Sequence, residues 1–108
     1  MSVRTRPPFC GLDAAMEVIS GKWKVLILWA LRDGHRRFGE LRRLVPGVSE
    51  KVLIQQLREL EADGIVLREM FAEAPLRVEY SLTARGTALD EALKPLGAWG
   101  REHLAVRA

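Results

Sequence analysis

With 108 residues, 48% of them hydrophobic and 29% charged, the chain has the balance of a globular domain and the length for one core, not two. No run approaches the ~18 consecutive apolar residues of a membrane span, and a single cysteine, Cys10, excludes an internal disulfide and fits a reducing compartment. The net charge of +3 is uneven: residues 1–43 hold nine Lys/Arg against four Asp/Glu, and residues 44–108 hold eight against ten, an imbalance that suits a polyanionic partner but is weak as a signal by itself.

The opening MSVRTRPPFC lacks the apolar centre of a signal peptide, so a cytoplasmic protein is expected. Residues 1–9, with Arg4, Arg6, Pro7 and Pro8, read as a flexible basic arm, and residues 10–104 as one domain. A first helix is predicted from about Leu12 to Ile19, stopping at Ser20-Gly21. From Trp23 to Leu31 the sequence is apolar nearly all round, which predicts a buried central helix containing Trp29. HRRF, residues 35–38, supplies a short strand or an extended entry to a helix over Glu40 to Leu44, with Gly39 able to cap it.

Pro46-Gly47 makes a turn before the stretch SEKVLIQQLRELEADG. Ser49 suits an N-cap, Glu50 the positive end of the helix dipole and Gly64 the C-terminal stop. On a 3.6-residue repeat Leu53, Leu57 and Leu60 share one face, with Lys51, Gln55 and Arg58 roughly opposite. Two short helices joined by a tight turn form a helix-turn-helix pattern. Next, Leu76, Val78, Tyr80 and Leu82 alternate with Arg77, Glu79 and Ser81, the period of a half-buried strand. Ile65 to Phe71 forms the opposing strand, with Ala72 to Pro75 at the hairpin tip. Thr83 caps a last helix with apolar positions Leu89, Leu93, Leu96 and Trp99, which Pro95 is expected to kink or restart. The expected fold is mainly α with a small antiparallel β-hairpin: a winged helix-turn-helix.

Cys10, GKWKVLIL at Gly21 to Leu28, RFGEL at Arg37 to Leu41, VSEKVLIQQLRELEADGIV at Val48 to Val66 and PLRVEYSLTARG at Pro75 to Gly86 stand in an order that resembles the HxlR-type branch of winged helix-turn-helix regulators, relatives of the MarR type. The resemblance covers about residues 10–100. It implies a homodimeric transcription regulator that binds double-stranded DNA, with the first and last helices in the dimer contact. Gly39 and Ile54 depart from the family's usual small polar residue and threonine. The change at Ile54 alters the groove-facing surface, so the bases read by relatives do not transfer.

On this reading Lys51, Gln55 and Arg58 face the major groove, where Gln55 suits adenine and Lys51 or Arg58 suits guanine or phosphate. The bland alternative is a solvated helix face. Ile54 reaches a thymine methyl or packs into the core. Ser49, Arg36, Arg37, Arg42 and Arg43 are candidates for phosphate contacts. Arg77 beside the wing tip suits the minor groove or a flanking phosphate, while Arg68 contacts DNA or pairs with a carboxylate of the hairpin. Trp23, Trp29 and Phe38 read as core. Leu12, Leu93, Leu96 and Trp99 are candidates for the dimer interface, Trp99 having core as its alternative. Cys10 is either a packed small residue or a thiol sensor whose pKa a helix N-terminus and nearby arginines would lower.

A single small domain makes few phosphate contacts, so a two-fold dimer on an inverted-repeat operator is expected, acting as a repressor. A small-molecule or electrophile inducer is a further expected partner. His35, His103 and Cys10 lack metal-ligand spacing, and no phosphate loop or nucleophile–base pair occurs. No enzyme activity, metal or cofactor is expected. The alternative is a winged-helix module for protein interaction, which salt dependence separates from DNA binding.

Overall fold

The computed structural model describes residues 11–104. The basic arm and Cys10 lie outside the described residues. The order is α1 (Gly11–Val18), α2 (Lys24–Leu31), α3 (Phe38–Leu44), α4 (Glu50–Ala62), β1 (Val66–Phe71), β2 (Arg77–Leu82) and α5 (Ala84–His103).

The core forms where the apolar faces of α2, α3 and α4 meet. Ile27, Leu28 and Leu31 of α2, Leu41 of α3 and Leu53, Leu57 and Leu60 of α4 are all fully buried, each leucine contributing on the order of 2 kcal/mol through the surface it removes from water. Val45 and Val48, in the turn between α3 and α4, close the same cluster. Gly47 makes that turn possible, with a φ of 91° that a side chain would strain. The Ser49 hydroxyl then accepts from the Val52 N–H at 3.1 Å, starting α4. At its other end the Ile65 N–H reaches the Leu60 carbonyl at 2.9 Å and the Gly64 N–H reaches Glu61 at 3.0 Å. With Gly64 at φ 74°, these bonds end the helix in a Schellman motif.

Helix α3 starts two residues earlier than the sequence suggests. Arg37, not Gly39, takes the N-cap position, because the Glu40 carboxylate accepts the Arg37 N–H at 2.9 Å and draws the first turn back. This bond, with Arg36 and Arg43 nearby, holds the Glu40 carboxyl below its ordinary pKa. The hairpin pairs Val66 with Leu82 through to Phe71 with Arg77. HRRF contributes a single bridge, in which Arg36 and Tyr80 exchange backbone bonds at 2.9 and 2.8 Å. Leu76, expected in the strand, lies in the tip and is exposed.

Helix α5 is tied to the body at two points. Thr83 accepts from the Gly86 N–H at 2.9 Å and donates to the Gly64 carbonyl at 2.6 Å, so the start of α5 rests on the end of α4. Further along, Asp90 is only 3% exposed and takes both Nε and an Nη of Arg32 at 2.8 Å, a bidentate lock onto the end of α2. The helix does not restart at Pro95. Glu91, whose carbonyl loses its donor to that proline, is exposed, so water can satisfy it.

Candidate nucleic-acid interface

Burying Leu53, Leu57 and Leu60 turns the other side of α4 outward. Lys51, Gln55 and Arg58 are exposed on that side, and neither Lys51 nor Arg58 has an ion-pair partner among the described residues. Ile54 is half-buried and lines a cleft of about 620 Å³ between α4 and the hairpin, together with Phe38, Arg58, Arg68, Val78 and Tyr80. It is not among the half-buried side chains packed against the core, and its side chain belongs to the cleft.

Arginines near α4 divide by what holds them. Arg36 turns inward, its Nε donating to the Ala30 carbonyl at 3.2 Å and its guanidinium lying 3.7 Å from Glu40. Arg42 is 3.8 Å from Glu50 across the turn. Arg37, the N-cap of α3, and Arg43 on it are exposed. On the hairpin, Arg77 sits between Glu73 and Glu79, each at 2.9 Å, and stacks over the Phe71 ring at 4.4 Å. That clamp stiffens the wing and neutralises its cation. Arg68 lies on the opposite face of the hairpin, exposed and without an ion-pair partner among the described residues. Of the two wing arginines it is the one without an internal carboxylate partner among the described residues.

Two residues that the sequence reading passes over organise this face from behind. Lys24, at the start of α2, is 5% exposed, and its Nζ lies 2.6 Å from Oε1 of Glu59. Oε2 of Glu59 accepts from the Gln55 amide at 3.4 Å. The ammonium beside it holds the Glu59 carboxyl below its ordinary pKa, with Gln55 adding to the effect against the opposing pull of burial. A helix-start lysine normally reads as solvated, but Glu59 at i+4 from Gln55 was a legible sign of an amide–carboxylate pair.

A second, apolar face is built by α2 and α5. Trp29 is 51% exposed and belongs to this face, not to the core as its sequence context suggests. Helix α2 is apolar on two sides: one packs inward, while Val25, Leu26 and Trp29 line an open groove against α5 with Leu93, Gly97 and Arg101. Leu12, Met16, Leu96 and Trp99 are exposed too, Trp99 at 52% and stacked on His103. Trp23 and Phe38, by contrast, pack against the core as expected, and Leu93 is half-buried.

A helix that keeps its leucines inside and turns cations and an amide outward, with a stiff hairpin at its flank, makes this a winged helix-turn-helix protein. The chain belongs to the HxlR-like helix-turn-helix family, whose profile matches residues 18–108. It is 48% identical to YkvN of Bacillus subtilis, an uncharacterised HTH-type transcriptional regulator, over 84% of this chain and 77% of that one. A Methanothermobacter thermautotrophicus HTH-type regulator is 42% identical over 85% and 70%. Among solved structures, the redox regulator HypR in its oxidised form is 42% identical with a TM-score of 0.81, covering 90% of this chain and 100% of HypR. Its reduced form gives the same identity and score over 86% and 92%. Diamide-treated YodB of B. subtilis is 33% identical with a TM-score of 0.76 over 95% and 100%. The chain is accordingly a helix-turn-helix transcriptional regulator and not an enzyme. No helix among the described residues is long and apolar enough to cross a membrane.

Proposed function

We propose that the protein is a cytoplasmic homodimeric repressor that covers promoter DNA at an inverted repeat. The observation carrying this reading is the division of α4 into a buried leucine side and an exposed side bearing Lys51, Gln55 and Arg58. Helix α4 enters the major groove, Gln55 reads a base, and Lys51 and Arg58 reach base edges or phosphate. Ser49, Arg37 and Arg43 contact backbone, as does Arg68 on the wing. Arg36 and Arg77, held by internal partners, act indirectly by fixing the hairpin. Ile54 offers its open side to a thymine methyl. Leu12, Leu96 and Trp99, with Val25, Leu26 and Trp29 beside the half-buried Leu93, form the two-fold interface.

Thiol control through Cys10 is supported by the likeness to HypR, known in reduced and oxidised forms, and to diamide-treated YodB. One cysteine per chain permits a bond across the dimer or a mixed disulfide with a small thiol. A mild oxidant is expected to change the DNA affinity of the wild type and leave Cys10→Ser unaffected.

The deciding experiment measures affinity for duplexes that the protein itself selects from a random library, across a salt series. Arg58→Ala is expected to weaken binding roughly tenfold, and Lys51→Ala to lower the salt slope by about one. A flat salt response, with no effect of either substitution, would replace this reading with a winged-helix module that binds proteins.

A further inference from the structure

Gln55 is not a free side chain. Its amide is joined through the Glu59 carboxylate to the ammonium of Lys24, which α2 holds almost fully buried. One carboxylate thus links the core of the domain to its outward face. A carboxylate only accepts hydrogen bonds, so the NH₂ end of Gln55 turns toward Glu59 and its carbonyl oxygen is left outward. An amide presenting that oxygen and its one remaining N–H matches the major-groove edge of adenine, which offers a donor at N6 and an acceptor at N7. Guanine offers acceptors at both places and has no donor for the oxygen.

We propose that Lys24 and Glu59 are positioning residues that hold the Gln55 amide in the orientation suited to adenine and so set base preference at one pair of the operator. This deepens the reading of α4 as the groove-facing helix and rests on it. Lys24 is necessary because Glu59 is 44% exposed in its side chain; without the fixed ammonium the carboxylate rotates, and the amide is free to flip. The ammonium also offsets a negative charge that would otherwise face the phosphates. A buried ion pair of this kind adds little to stability relative to an apolar pair of similar volume, so its effect falls on geometry.

The test uses duplexes selected by the wild-type protein from a random-sequence library, with every single base-pair substitution of the selected site. Affinities are measured for the wild type, Gln55→Ala, Lys24→Met, Lys24→Met/Glu59→Leu and Lys24→Met/Gln55→Ala, with thermal melting to follow the fold. Gln55→Ala is expected to lose the preference for A·T over G·C at one pair. Lys24→Met and Lys24→Met/Glu59→Leu should both lose roughly fivefold of the same preference. The double variant leaves other pairs and random duplex unchanged, while Lys24→Met, which leaves the Glu59 charge uncompensated, also weakens all duplexes alike without lowering the melting temperature. Adding Lys24→Met to Gln55→Ala should change no preference further. If Gln55→Ala loses the preference and both Lys24 variants keep it, the positioning role is overturned while the reading of α4 stands. Uniform weakening at every pair, with a lower melting temperature, assigns the ion pair to stability alone and also overturns it. No effect of Gln55→Ala at any pair removes Gln55 as a reader, and the inference with it.

Discussion

Arg77 and Arg68 show how much a side chain's partners decide. Both are hairpin arginines within reach of the region where DNA would lie, yet Arg77 is bracketed by Glu73 and Glu79 while Arg68 stands beside the α4 cleft without an ion-pair partner among the described residues. Arg68→Ala is therefore expected to lower DNA affinity a few-fold and the salt slope by about one. Arg77→Ala should leave the slope unchanged and loosen the hairpin, which amide hydrogen exchange at residues 71–79 would reveal. Equal effects of both on the slope would show that the clamp opens on binding. Part of this is legible from the chain alone: Glu79, two residues on in the same strand, shares the face of Arg77, and Glu73 lies four residues back at the tip, whereas only the cross-strand register brings Phe71 to it. Lys24 is the same case, since the carboxylate that permits its burial is thirty-five residues away.

At the level of elements, helix α4 was the most readable part. Its leucine spacing, the Ser49 cap and the Gly64 stop are local features, and local features survive folding unchanged. Less readable were edges governed by neighbours: Glu40 pulls the start of α3 back to Phe38, and Leu76 leaves the strand for the tip. The exposure of Trp29 is hidden from the sequence for a related reason. An apolar side that meets the core and one that meets solvent or a partner have the same composition. Gly86 marks a tight junction between elements. A Cβ there would lie 2.1 Å from the Ile65 carbonyl oxygen, so α5 and the start of the hairpin approach too closely for any side chain. Gly86→Ala should destabilise the fold by about 2 kcal/mol, read from chemical denaturation, whereas Gly100→Ala, with open space around it, should not.

For the whole molecule, two exposed surfaces differ in character: α4 and the wing carry charge, while α2 and α5 carry the apolar groove with Trp29. Trp29→Glu should leave the melting transition of the domain intact, since the ring is half exposed. In sedimentation the same variant should give a monomer, and its affinity for an inverted repeat should fall to that of a single half-site. A dimer that survives the substitution would move the interface elsewhere.

Helix α5 has 20 residues, which at the α-helical rise span about 30 Å, close to the roughly 34 Å between successive turns of one groove. In the proposed dimer a rod anchored at its start by Thr83 and in its first half by Asp90 would act as a ruler rather than a tether. Lengthening the spacer of the operator by half a helical turn would rotate one half-site to the far side of the duplex, and a ruler cannot follow it there. Cooperative occupancy should vanish at that spacing and return when a full turn has been inserted.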